Sequence, residues 1–243
     1  MHKEAVLPFP PPLREWVARR AVALFLDFDG TLVEIAETPD GIRIPARLGR
    51  RLEVLGDRLN GRLALVTGRA LADIHGHLGH VAVMTVGSHG VEFGGAAPPP
   101  RPLSRRAAAA IAALTAKWPG LLIETKPHGL AIHYRQEPDA APSVLTVMKE
   151  VAAIEDLAVR RGKMVVELGP PGASKGAAVA RLMAAPPYAG ATPLFIGDDV
   201  TDEDGFIAAA AAGGHGILVG PPRPTAAHYR LTGPEAVLRW LTL

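Results

Sequence analysis

Apolar residues along this chain come in short runs that stop at glycines or acids, with amphipathic stretches between them. The clearest run, Ala23-Leu24-Phe25-Leu26, stops at Asp27-Phe28-Asp29-Gly30-Thr31-Leu32. An unbroken apolar run closed by a turn signal fits a strand buried on both faces of a parallel sheet. Leu48, Leu52, Leu55 and Leu59 recur at helical spacing and predict a helix over 45–59, with Pro45 suited to its first position. Residues 62–67 predict a second strand ending at Gly68-Arg69, and 70–78 a helix. Residues 82–86 predict a third strand, ending at Gly87-Ser88-His89-Gly90. Strand and helix in alternation predict a doubly wound, Rossmann-like α/β sheet.

The rhythm then changes. Ala97-Pro98-Pro99-Pro100-Arg101-Pro102 reads as a stiff linker, as Pro8-Phe9-Pro10-Pro11-Pro12 reads as an extended arm ahead of a short helix at 13–20. Beyond the linker, 104–117 is helical, and 121–125 with 130–134 reads as paired strands. A helix over 142–154 and a hairpin from 157–160 and 163–168 repeat that pattern. This predicts a small α+β domain inserted into the first and closing at Gly169-Pro170-Pro171-Gly172. The parallel rhythm resumes with helices at 174–183, 201–211 and 234–241 and strands at 193–197 and 216–219. The expected division is a core over 1–100 (arm included), a cap over 101–169 and the rest of the core over 170–243.

Composition narrows the function classes. A formal charge of +2 over 243 residues provides no basic face for nucleic acid, and none is expected as a partner. With no cysteine there is no thiol nucleophile, disulfide framework or thiolate metal site. The opening residues have no apolar core of signal-peptide length, and no run approaches the ~18–20 apolar residues of a membrane span. A cytoplasmic location is the expectation. No feature names a protein partner.

In a doubly wound sheet, ligands sit beyond the carboxyl ends of the strands, where strand order reverses. Those ends carry Asp27 and Asp29, then Thr67, then Asp198 and Asp199, and the helix after the insertion begins near Lys175. Asp27 and Asp29, two apart, would share a face if the strand continued. Taken singly, each group has a structural explanation: a turn, a strand exit, a solvated lysine, a helix cap. Together they form a set of hard oxygen donors with a hydroxyl and a cation, which suits Mg²⁺ and a phosphate ester. Asp27 would attack phosphorus as the nucleophile and Asp29 would serve as acid and base, while Thr67 and Lys175 would hold phosphoryl oxygens. Glu203 reads as a capping or dipole residue.

Asp-Phe-Asp-Gly-Thr-Leu at 27–32, Thr67, Lys175 and Gly-Asp-Asp at 197–199 resemble the four motifs of the haloacid dehalogenase (HAD) superfamily of Mg²⁺-dependent phosphotransferases. Residues 195–206, Phe-Ile-Gly-Asp-Asp-Val-Thr-Asp-Glu-Asp-Gly-Phe, resemble a signature of the trehalose-6-phosphate phosphatases. Glu124-Thr125-Lys126, His133-Tyr134-Arg135 and Val165-Val166-Glu167 follow that family's cap pattern. The resemblance implies a HAD core with a mobile cap, and hydrolysis of trehalose 6-phosphate through an aspartyl-phosphate. It implies Asp27, Asp198 and the backbone carbonyl of Asp29 as Mg²⁺ ligands, with Asp199 and Asp202 behind them. Gly68, Arg69, Glu124, Lys126, His133, Arg135 and Glu167 are assigned to the substrate. By strand alternation, the four cap residues Glu124, Lys126, His133 and Arg135 would line one sheet face if the hairpin register permits.

Two departures stand out: Thr67 where many relatives have serine, and Gly169 where a basic residue is frequent. Gly87–Glu92 also resembles a family segment, with no role assigned to His89 or Glu92. The alternatives are a cap-bearing phosphatase for another sugar phosphate, of the sucrose 6-phosphate or mannosyl-phosphoglycerate type, and a non-catalytic sugar-phosphate-binding domain.

Overall fold

The computed structural model describes residues 7–36, 38, 41–94 and 102–242. The linker expected over 97–102 lies outside the described residues except for Pro102, as do residues 1–6 of the opening. The chain divides into two compact units, Met1–Gly95 with Ser174–Leu243, and Ala96–Ala173. The first unit begins with α1 (Leu13–Arg19), β1 (Val22–Leu26), α2 (Leu48–Arg58), β2 (Leu63–Val66), α3 (Leu71–Leu78), β3 (Met84–Gly87) and β4 (Glu92–Phe93). The second holds α4 (Arg105–Lys117), β5 (Leu122–Lys126), β6 (Gly129–His133), α5 (Ala141–Glu155), β7 (Ala158–Gly162) and β8 (Val165–Gly169). The first then resumes with α6 (Lys175–Met183), β9 (Thr192–Gly197), α7 (Glu203–Ala211), β10 (His215–Val219), β11 (Tyr229–Leu231) and α8 (Pro234–Trp240).

The first unit carries a seven-stranded sheet in the order β11-β10-β9-β1-β2-β3-β4, parallel except for β4. This is the α/β architecture that the alternating pattern predicts. β1 lies between β2 and β9, with Leu26 beside Leu65 on one side and Ile196 on the other. Strand order therefore reverses at β1, and its carboxyl end is the switch point beyond which such sheets take their ligands. Every residue of β1 is buried, and alternation sends its side chains into two cores. Val22, Leu24 and Leu26 pack with Leu48, Leu52 and Leu55 of α2 and Val237 of α8. Ala23 and Phe25 pack on the other face with Val179 and Leu182 of α6 and Phe206 of α7. Truncating Phe25 to alanine would cost about 3–5 kcal/mol, which is why the apolar run tolerates no polar interruption.

Several boundaries differ from the sequence expectation. Helix α2 starts at Leu48 rather than Pro45, because Arg47 has a left-handed φ of 59° and the Leu48 N–H donates to the Pro45 carbonyl, making a turn. Strands β4 and β11 were not expected. At two and three residues they are too short to show a period, and only their neighbours identify them. The proline arm is anchored: the Pro8 carbonyl accepts the Arg230 N–H, and the Pro11 carbonyl accepts the Trp240 indole N–H at 2.8 Å.

The second unit is an antiparallel sheet, β5-β6-β8-β7, with α4 and α5 on one face. Leu130, Ile132, Val166 and Leu168 point to those helices and meet Ile111, Leu114, Val144 and Met148. Ser104 caps α4 by accepting the Ala107 N–H, and its own N–H donates to Glu155, tying the two helices together. No helix among the described residues is long and apolar enough to cross a membrane.

Candidate active site

The switch point beyond β1 gathers residues that follow directly on three strands. Asp27 follows β1, Thr67 follows β2, and Asp198 follows β9. Lys175 opens α6, whose Ser174 cap accepts the Ala177 N–H at 3.1 Å. The Lys175 ammonium lies 2.7 Å from Asp27 Oδ1 and 2.6 Å from Asp202 Oδ1. All three are buried, at 3, 4 and 0% exposure for Lys175, Asp27 and Asp202. Burial alone would lower the lysine pKa, but Asp202 and Asp27 outweigh it and hold the ammonium above its ordinary value. Burial raises the Asp27 pKa well above the carboxylate range. Asp202 and Asp198 add to the rise, and Lys175 opposes it.

Asp27, Asp198 and Asp202 each offer an oxygen, all within 4.8 Å of one another. The donors are all hard oxygens with one ammonium beside them, a set that fits a divalent cation. Asp202 is drawn further in than expected. One of its oxygens meets Lys175 and the other accepts the Asp199 N–H at 2.9 Å, so Asp202 acts through the lysine and the backbone. Asp199 accepts the Val200 N–H at 2.7 Å and forms a reciprocal capping box with Asp202. Gly30, at φ +72°, makes room for Asp198: a Cβ there would lie 2.2 Å from the Asp198 carboxylate.

Asp29 does not share a partner with Asp27. β1 ends at Leu26, alternation ends with it, and the Asp29 carboxylate turns to Arg69. The Arg69 Nε and Nη2 meet its two oxygens at 2.7 and 2.8 Å, and Nη1 meets Asp73 at 2.5 Å. Arg69, which the resemblance assigns to the substrate, here holds two carboxylates. Burial would lower its pKa, but Asp29 and Asp73 raise it. The signal for Asp73 was present in the i,i+4 spacing from Arg69.

Thr67 is buried, and its Oγ1 accepts the Arg69 N–H at 3.1 Å. Its carbonyl accepts the N–H of His89. Ser88 and His89 both hold left-handed φ, 47° and 54°, and the His89 ring sits where a side chain on Gly68 would stand. Glu92 braces this turn by accepting the Ser88 hydroxyl and the Leu71 N–H. Glu203 does more than favour the start of α7. Its carboxylate gathers the Arg223 guanidinium, the Thr225 hydroxyl and the Ala226 N–H. Arg223 in turn donates to the Asp199 carbonyl at 2.8 Å, a brace that sequence reasoning missed.

In the second unit, strand register gathers the expected polar residues on the sheet face opposite α4 and α5. Glu124 and Glu167 both pair with Ala131 across β6, and Lys126 and His133 share that face by alternation. His133 Nε2 lies 2.9 Å from Glu124, and Lys126 pairs with Glu167. Burial would raise the Glu124 pKa, but the His133 hydrogen bond and Lys126 more than offset it, so the pKa is lowered. Arg135 falls beyond the end of β6, in the following turn, so alternation does not extend to it. At Gly169 a side chain would meet the Arg160 guanidinium, 2.2 Å from the Cβ position. Arg160 donates to the carbonyls of Pro170 and Ala173 at 2.6 and 2.8 Å.

With this geometry, known proteins can be compared. A profile of the trehalose-phosphatase family matches residues 25–235, from β1 into α8. This chain belongs to that family. A phosphatase of the haloalkanoate (HAD) superfamily from Bacteroides thetaiotaomicron shares the fold, with a TM-score of 0.56 at 15% identity and coverage of 91% and 92%. A probable trehalose-phosphate phosphatase of Sinorhizobium fredii is 41% identical over 212 residues, covering 83% of this chain and 79% of the relative. The trehalose-6-phosphate phosphatase of Escherichia coli is 34% identical over 228 residues, covering 91% and 85%. Among solved structures, the C-terminal domain of the Candida albicans trehalose-6-phosphate phosphatase matches with a TM-score of 0.81 at 27% identity, covering 98% of each chain. The sucrose-phosphatase of Synechocystis shares the fold, with a TM-score of 0.55 at 18% identity and coverage of 90% and 96%.

Proposed function

We infer that this protein hydrolyses trehalose 6-phosphate to trehalose and inorganic phosphate, in two displacements at phosphorus. The observation that carries the chemistry is the buried Asp27 at the β1 switch point, held by Lys175 and faced by Asp198 and Asp202. The sugar is inferred from family membership. In the first displacement an Asp27 oxygen forms a bond to phosphorus while the bond from phosphorus to the sugar oxygen breaks, and Asp29 gives its proton to that oxygen. In the second, water attacks the aspartyl-phosphate, its proton passes to Asp29, and the bond to Asp27 breaks to release phosphate. Lys175 keeps Asp27 aligned and brings positive charge beside the reacting group, and the Thr67 hydroxyl is placed to donate to a phosphoryl oxygen. Mg²⁺, held by Asp27, Asp198 and the Asp29 carbonyl, would supply the charge that lets one anion approach another.

The sugar falls to the polar face of the second unit. Glu124, Lys126, His133 and Glu167 alternate acceptors and donors, the complement of a row of hydroxyls. Their side chains are already satisfied by each other, so binding exchanges these bonds for sugar contacts rather than exposing unpaired charge. A cytoplasmic location is proposed as well, where a small soluble sugar phosphate would be met.

Phosphate release should be measured from trehalose 6-phosphate beside sucrose 6-phosphate and glucose 6-phosphate, with Mg²⁺ and after chelation. Turnover confined to trehalose 6-phosphate and restored by Mg²⁺ is expected. Faster release from another sugar phosphate would overturn the substrate, and full turnover after exhaustive chelation would overturn the metal.

A further inference from the structure

Arg69 offers its guanidinium to two carboxylates at once. The Nε and Nη2 edge meets both oxygens of Asp29 at 2.7 and 2.8 Å, and Nη1 meets Asp73 at 2.5 Å. Asp73 lies in the first turn of α3, and its other oxygen is 3.3 Å from His77 Nε2, one turn further along. The Phe28 ring lies 6.0 Å from the guanidinium carbon, and the arginine side chain is only 9% exposed. The backbone is held too: the Arg69 N–H donates to Thr67 Oγ1, and its carbonyl accepts the Ser88 N–H at 2.8 Å. A planar fork bound to both oxygens fixes the plane of a carboxylate, which a lysine or a single hydrogen bond cannot do.

We propose that Arg69 is the positioning residue of Asp29, with Asp73 and His77 fixing the fork: Nε and Nη2 hold both oxygens while Asp29 is a carboxylate, Nη2 gives up Oδ1 once that oxygen carries the proton, and Asp29 then meets the leaving sugar oxygen in one orientation. This rests on the reading of Asp29 as the proton donor. It differs from the sequence expectation that Arg69 grips the substrate, since the guanidinium edges that would meet a phosphate are turned to Asp29 and Asp73. Asp29 follows β1, but its direction comes from the β2–α3 junction, and the order of β1 and β2 in the sheet brings the two together.

The two roles predict different dependence on the leaving group. A sugar alkoxide needs a proton to depart, whereas the nitrophenolate of p-nitrophenyl phosphate does not. The test is kcat/KM on trehalose 6-phosphate and on p-nitrophenyl phosphate for the wild type, Asp29→Asn, Arg69→Gln, Arg69→Lys and Asp73→Asn. Arg69→Gln is expected to lose about 10²-fold on the sugar phosphate and less than ~10-fold on the aryl phosphate. Arg69→Lys should show the same bias, because charge without the fork does not restore the orientation. Asp73→Asn should show it more weakly and serves as the readout if the Arg69 variants fold poorly. Equal losses on both substrates in the Arg69 and Asp73 variants, beside a biased Asp29→Asn, would overturn the clamp alone. An unbiased Asp29→Asn would overturn the acid role of Asp29, and the clamp with it.

Discussion

In the first unit the reactive charges are closed off from water, with Lys175 touching Asp27 and Asp202 and none of the three side chains more than 6% exposed. In the second, Glu124 and His133 keep 32 and 24% of their side chains exposed and meet at 2.9 Å. The same kinds of group are therefore held under different dielectric conditions. In the buried cluster the one ammonium makes the carboxylates tolerable, so removing it leaves them stranded. On the sheet face water reaches the Glu124–His133 pair, so those two groups can exchange partners at little cost, while Lys126 and Glu167 beside them are more enclosed. The first arrangement suits a reaction that requires one geometry. The second suits recognition of a flexible, hydroxylated ligand.

The contrast can be broken first at Asp27. Asp27→Asn should lower phosphate release by about 10⁴-fold or more while leaving circular dichroism and the melting temperature near wild type or slightly raised. The stability expectation follows from the raised carboxyl pKa, since a neutral isostere removes a charge that the buried site opposes. Residual turnover near wild type would end the nucleophile assignment.

Lys175→Met should cost about 3–5 kcal/mol in urea unfolding, because Asp27 and Asp202 are left buried without their cation. Adding Asp202→Asn should recover part of that loss. Failure to recover would mean that the lysine stabilises by packing rather than by charge.

On the sheet face, Glu124→Gln should change stability by less than ~1 kcal/mol. It should raise KM for trehalose 6-phosphate by roughly threefold to tenfold, the share of a charged hydrogen bond that half-exposure leaves. A fall in kcat without a change in KM would contradict a binding role. The smallest effect is in pH. Glu124 titrates below its ordinary 4.5 in the folded state, so its contribution to stability is complete above that value and lost as pH falls through the folded value. A melting-temperature profile over about pH 3–6 should be flatter in Glu124→Gln than in the wild type.

Much of the site was legible because its residues stand where apolar runs stop. Asp27 closes the run at Leu26, Thr67 the run at Val66, and Asp198 follows the run ending at Gly197. The hairpin of the second unit was legible for a similar reason, since turn residues at 127–129 separate two strands whose alternation follows directly. The carboxylate partners of Arg69 were not legible, because the sequence shows a charge beside a strand exit but not what it faces. Asp29 lies forty residues away and joins it only when β1 and β2 lie side by side.

The chain's own order of residues determined the alternation of strands and helices, the interruption by a second unit and the chemical type of each group at a strand end. These are local matters of periodicity, backbone preference and side-chain chemistry. Which carboxylate meets which cation was decided only in three dimensions. Sheet order brings β1, β2 and β9 together, burial removes the water that would otherwise separate the charges, and each ion then takes the counter-ion within reach. That is why Asp27 and Asp29, two positions apart in the chain, have different partners.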